Sequence, residues 1–383
     1  MRRLLLTPAG IAAIALALYG AYTLVAVSTH GTESFAFVAA KFADASRASP
    51  TLNAHLHGGP GAGYDGQFVL AIALDPAKAH FYTDAPSLRY TRILLPIVAR
   101  TAALDNPHWI PAAIILVNLL AVVVGTFCVA RILARRGRPV ALSLLYPLFP
   151  GLLTAFARDL SEPLAYGLTA AGMLVLLDRR GLARTVAAGS VFALAGLTRE
   201  TTLLVPVVLG LVWAIDRRRP HGRRDGVTLV AMSAIPYAVW RTIVIHWLGS
   251  ASASPGYTVG ILPLSGLTGS SAKEAYLALT VAVPVVVVLL VTLPQLPRTW
   301  RGGFVPALVA ALVIFGLYLP EESLFDYSAA GRLQVGTVLL ALIALAAPVR
   351  ASLARRALMT GVVLAYVPLA VFVANTVLHR AGT

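Results

Sequence analysis

Eight charged side chains in this chain stand in short polar segments beside long apolar runs: Asp65, Asp159, Glu162, Glu200, Arg89, Arg92, Arg199 and Arg332. The richest segment reads His55-Leu56-His57-Gly58-Gly59-Pro60-Gly61-Ala62-Gly63-Tyr64-Asp65-Gly66-Gln67-Phe68. Its glycines deliver one acid, Asp65, between an aromatic, Tyr64, and an amide, Gln67. The run 68–74 that follows is almost purely apolar and belongs in a membrane interface rather than in water. Asp65 then sits beside low-dielectric material, which raises a carboxyl pKa and suits a general base. An Asp-Gly turn without function has the same composition.

Arg89 and Arg92 lie three apart, on one face if the segment is helical. A guanidinium binds phosphate oxygens through two parallel hydrogen bonds, so the pair reads as a phosphate clamp. Snorkelling to lipid headgroups would use the same residues. Arg332 opens an apolar run close to Glu321, Glu322 and Asp326, and is a further phosphate candidate. Arg199 and Glu200 join two short apolar runs, where charges face a polar cavity or pair with each other. Asp159 and Glu162, just before Pro163, fit either substrate binding or a helix cap. His55 and His57 with Asp65 offer a metal only three ligands, so no cofactor follows firmly and a divalent metal stays an open alternative. The glycine-rich run lacks the Lys-Ser/Thr ending of a nucleotide-binding loop.

The elements that must position these groups are helices. The chain has 383 residues, of which 58% are hydrophobic and 12% charged. Its mean hydropathy is +0.79. Soluble domains carry about 25% charged residues. Apolar runs recur with the length that crosses a hydrocarbon core of about 30 Å, and backbone groups in lipid must be satisfied within the segment. About eleven spans follow: 8–27, 109–133, 140–157, a fourth ending near 177, 183–197, 202–215, 227–248, 276–293, 304–319, 333–348 and 358–378. The whole reads as one all-α transmembrane domain, 1–383. Within it, 28–106 forms a long first outer loop carrying interfacial helices.

Charge orients the spans. The net charge of +15 lies in short basic clusters between apolar runs, which argues for membrane orientation and against nucleic acid. With the N-terminus cytoplasmic and the C-terminus outside, the cytoplasmic segments hold 19 of the 31 basic residues and 3 of the 16 acidic ones. The eight charged candidates all fall on the outer side. The single cysteine, Cys128, lies inside an apolar run and says nothing of redox compartment.

A first helix, a large outer loop bearing an acid and many apolar helices resemble the layout of the GT-C superfamily of polyprenyl-phosphate-sugar-dependent glycosyltransferases. Tyr64–Phe68, with an arginine and Leu94-Leu95-Pro96 after it, is similar to the outer-loop Trp-Asp pattern of the GPI mannosyltransferase-like and related bacterial families. Tyr146-Pro147, Glu162-Pro163 and Leu197-Thr198-Arg199-Glu200 look like segments of bacterial members. Tyr64 stands here in place of the Trp, and the acidic pair of some families is missing.

The resemblance implies an inverting transferase in the plasma membrane, its site facing the periplasm or outside. Asp65 would be the base. Arg89, Arg92, Arg199 and Arg332 would be the donor-phosphate contacts. Tyr64, Gln67, Asp159, Glu162 and Glu200 would bind other parts of the substrates. The partners would be a lipid-linked sugar, membrane lipids and an envelope glycan, glycolipid or protein acceptor. Two other classes remain open from the residues: a transporter or lipid flippase, and a non-catalytic assembly partner.

Overall fold

The computed structural model describes residues 7–178, 181–215, 221–249 and 331–345. The expected spans 276–293, 304–319 and 358–378 lie outside the described residues, as does the acidic loop 321–326. Among the described residues the protein is mostly helical and has no strand. Its one β-type contact is an isolated parallel bridge between Ala39 and Gly59.

The described α-helices, in chain order, begin with α1 (Pro8–His30), α2 (Ala40–Ala45), α3 (Pro50–His55), α4 (Gly66–Leu74), α5 (Pro86–Thr91) and α6 (Leu94–Ala102). Then come α7 (Ile110–Arg135), α8 (Pro150–Phe156), α9 (Glu162–Asp178), α10 (Leu182–Thr198), α11 (Leu204–Ile215), α12 (Gly222–Leu248) and α13 (Val335–Leu345). Three stretches are long and apolar enough to cross a membrane: Pro8–His30, Pro107–Arg135 and Gly222–Leu248. At 1.5 Å per residue the shortest of them is about 35 Å long. Their outward faces are apolar as well, with Leu24, Leu120 and Ile235 exposed. Water would penalise such faces and lipid would not.

The bundle forms by close approach. α9 lies between α7 and α10, α1 packs on α7, and α12 packs on α10 and α11. Asn118 of α7 donates to the Leu160 carbonyl at 3.1 Å. Seven residues further along each chain, Gly125 faces Gly167. The equal offset means that α7 and α9 run parallel. Gly210 of α11 and Gly226 of α12 meet backbone to backbone, so a side chain at either would collide. Small residues at crossings of apolar helices give the tightest contact.

Two expectations change here. The run 140–157 is not one helix. A 3-10 turn, Val140–Leu145, is followed by a non-helical link and then α8. Pro147 and Pro150 remove two backbone donors, and the residue before each is biased away from helix. The second change concerns 68–74. It forms α4 as expected, but α4 is buried within the protein rather than laid in an interface: Leu70, Ala71 and Ala73 are fully covered. A helix apolar all round needs cover on every side. That cover is a second core, in which Phe42, Leu52, Tyr90, Leu95 and Ile114 pack around α4. The segment 28–106 is thus a helical cap with its own interior, seated on α7 and α12.

Candidate functional site

The cap delivers Asp65 by strapping the glycine-rich segment down. Gly59 N–H donates to the Val38 carbonyl at 2.8 Å, Ala40 N–H to Gly59 at 3.0 Å, and Tyr64 N–H to Phe37 at 3.0 Å. Gln67 closes the strap: its Oε1 accepts from Ala39 N–H at 3.1 Å. Gln67 therefore helps to fix the loop. Gly66 is required by space, since a Cβ there would overlap the Arg158 carbonyl oxygen.

Asp65 is the N-cap residue of α4, yet its carboxylate makes no cap hydrogen bond. Aspartate at this position ordinarily accepts from the first turn. Here the side chain turns to two arginines. Arg332 Nη1 lies 2.8 Å from Oδ2 and Arg89 Nη2 lies 3.0 Å from Oδ1. Burial raises the Asp65 pKa, but the charges and hydrogen bonds of Arg332 and Arg89 outweigh it and hold the carboxyl well below the usual range. The expected raised pKa is overturned by these two cations, which the sequence places 24 and 267 residues away.

The other charges pair across the same space. Arg89 also forks onto Asp84, with Nε and Nη2 each 2.9 Å from a carboxylate oxygen. Arg92 forks onto Glu200 at 3.0 and 2.6 Å. Arg199 meets Glu162 at 2.9 Å, with side-chain exposures of 4% and 0%. Neighbours in sequence, Arg199 and Glu200 thus have different partners. Arg332 Nε stands 3.8 Å from Glu162. Tyr64 serves as a platform: Arg158 stacks at 4.1 Å and Arg332 at 5.2 Å from its ring centre.

Charged side chains from these pairs line one cleft that is partly open to solvent. Asp65, Arg89, Arg92, Glu162, Arg199 and Arg332 form its charged wall. Phe68, Val69, Ile72, Pro96 and Leu160 form an apolar wall. Segments that charge alternation assigned to one side of a membrane thus converge at one place. Arg199 Nε, Arg332 Nε and both Glu162 oxygens are buried without a hydrogen-bond partner among the described residues. Unfilled capacity of this kind is rare in native interiors and marks a place for a ligand. The donors suit anionic oxygens, and the carboxylate suits hydroxyls.

Two candidates fall elsewhere. Asp159 is buried with a left-handed φ of 49°, and neither carboxylate oxygen has a hydrogen-bond partner among the described residues. It does not cap α9, and burial pushes its pKa well above the usual carboxylate value. His57 Nδ1 sits 2.7 Å from Glu33 Oε2 on the surface. Among the described residues no three His, Cys, Asp or Glu gather as a metal would require. With both Asp65 oxygens facing guanidinium groups as well, the donor set does not suit a divalent cation. Asp84 and Arg158 escaped the sequence reading. Asp84 sits in an ordinary turn and matters only because Arg89 folds back on it. Arg158 stacks on the rings of Tyr64 and Phe37, 4.1 and 5.2 Å from their centres.

Comparison of the chain with protein-family models, with curated proteins and with solved structures finds no match.

Proposed function

We propose that the protein is an inverting glycosyltransferase that moves a sugar from a polyprenyl-phosphate donor to an acceptor at the outer face of the plasma membrane. The observation that carries this reading is the cleft itself: two carboxylates, Asp65 and Glu162, stand among four arginines, and apolar side chains complete the lining. An amphiphilic anion fits that lining. The acceptor hydroxyl gives its proton to Asp65 as its oxygen forms the new bond to the anomeric carbon. The bond from that carbon to the phosphate oxygen breaks, and the electron pair leaves with the phosphate. Arginines of the cleft neutralise the charge that develops there. Glu162, whose Oε1 pairs with Arg199 while neither oxygen makes a well-aligned hydrogen bond, receives sugar hydroxyls. The acceptor is an envelope glycan, glycolipid or protein. The polyprenyl chain lies in a groove among the membrane helices. Transfer from polyprenyl-phosphate sugar is measured with the wild type and Asp65→Asn. The variant loses transfer by at least about 100-fold, as removal of a catalytic base does. A folded Asp65→Asn protein with full transfer removes Asp65 as the base.

One observation favours the second reading, a transporter or flippase. The segment 140–157 is broken by prolines beside the buried Asp159, and broken helices mark many transport sites. Substrate flux in proteoliposomes without covalent change would establish it.

A further inference from the structure

We infer that Asp65 and the donor phosphate compete for the same two arginines, so that the donor binds by drawing Arg89 and Arg332 off the carboxylate. The inference takes its ligand, the phosphodiester of a polyprenyl-phosphate sugar, from the function proposed above. Three features of the geometry carry it. First, each Asp65 oxygen is held by a different arginine, at 2.8 and 3.0 Å, so no free guanidinium edge faces the carboxylate. Second, each of these arginines has another carboxylate behind it. Arg89 keeps its fork on Asp84 when it leaves Asp65, and Arg332 keeps Glu162 at 3.8 Å. The other two cations are less free to move. Arg92 gives two hydrogen bonds to Glu200, and Arg199 would strand a fully buried Glu162. Third, Arg332 Nε is buried with no hydrogen-bond partner among the described residues, a donor ready for a further oxygen.

Inversion makes the release part of the chemistry. The base and the leaving phosphate stand on opposite faces of the anomeric carbon. A carboxylate still clasped by the phosphate's arginines is on the wrong face. Asp65 must swing away, and it can do so only when another anion has taken its place. The donor therefore binds first and the acceptor second. A cleft without donor holds a base that is already matched with cations and is inert toward hydroxyls.

The test needs binding only. Affinity for polyprenyl phosphate, which carries no sugar, is measured on the full chain in nanodiscs for the wild type, Asp65→Asn, Asp65→Glu and Glu200→Gln. Removing a competing charge should tighten binding by about tenfold or more in Asp65→Asn, given the strength of charge contacts in partly buried sites. Asp65→Glu, which keeps the charge, should show no such gain, and neither should Glu200→Gln. Inorganic phosphate should show the same order among the variants at weaker affinity. Unchanged or weaker binding in Asp65→Asn overturns the inference. So does tightening confined to Glu200→Gln, which puts the phosphate at Arg92. Tightening seen with the lipid but not with inorganic phosphate also overturns it, because the tail rather than the arginines would then be responding. If Asp65→Asn tightens as expected while the wild type transfers no sugar, the competition stands and the transferase reading falls. If the wild type transfers sugar and Asp65→Asn does not tighten, the competition alone falls.

Discussion

Glu162→Gln tests whether the buried charges of the cleft act as pairs. Glu162 and Arg199 meet at 2.9 Å with side-chain exposures of 0% and 4%. Neutralising one partner strands the other in a poorly solvated place, which costs about 3–5 kcal/mol when no other charge helps. Two features of the cleft lower that figure. Neither Glu162 oxygen makes a well-aligned hydrogen bond, so less is lost with it. Glu200 lies near enough to Arg199 to feel its charge. The expected loss is therefore about 2–3 kcal/mol, at or just below the lower limit of that range. Chemical unfolding in detergent measures it on the wild type, Glu162→Gln, Arg199→Met and the double variant. The double variant should recover part of the loss, with a coupling of at least about 1 kcal/mol between the two sites. A Glu162→Gln protein as stable as the wild type would refute the reasoning. Strictly additive single losses would do so too, because they would show that the two charges do not sense each other.

Two more predictions concern residues whose local conformation is forced. Asp159 has its folded pKa raised by burial, so its contribution to stability is present at low pH and is lost as pH climbs above the ordinary value of about 4. Asp159→Asn removes the ionisation and tolerates the left-handed backbone. Its Tm should exceed that of the wild type by a margin that widens from about pH 5 to about pH 8, and a margin that shrinks with pH contradicts the assignment. Gly66→Ala places a methyl group against the Arg158 carbonyl and 3.1 Å from the Ala36 carbonyl. Both neighbours are backbone, so overpacking should destabilise by about 1–3 kcal/mol and displace Asp65, with a matching fall in sugar transfer. Wild-type stability and transfer in this variant would show that the strap around Asp65 has slack.

The helices were legible because lipid-crossing segments leave a periodic and compositional trace. α1, α7 and α12 start and end within a few residues of the expected runs. The break at 146–149 was legible too, in Pro147 and Pro150, but hydropathy averages over such positions. The nature of 28–106 was harder to read. Length and polarity mark it as more than a connection. Only tertiary packing decides that α4 lies inside a second core and not on a membrane surface, since an apolar helix looks the same in either setting.

The charged residues tell the same story at finer grain. Alternation of charge put Asp65, Arg89, Arg92, Glu162, Arg199 and Arg332 on one side, and the fold joins them in one cleft. Which cation meets which acid was beyond reach. Arg332 finds Asp65 across 267 positions, while the adjacent Arg199 and Glu200 turn apart. Those pairings decide the electrostatics. Considered alone beside an apolar run, Asp65 reads as a carboxyl with a raised pKa. Within the cleft its charge is fully matched. A general base cannot stay matched and also act. On the proposed transferase reading the arginines therefore take a second partner during the reaction, and a phosphate is the partner that their geometry and charge would accept.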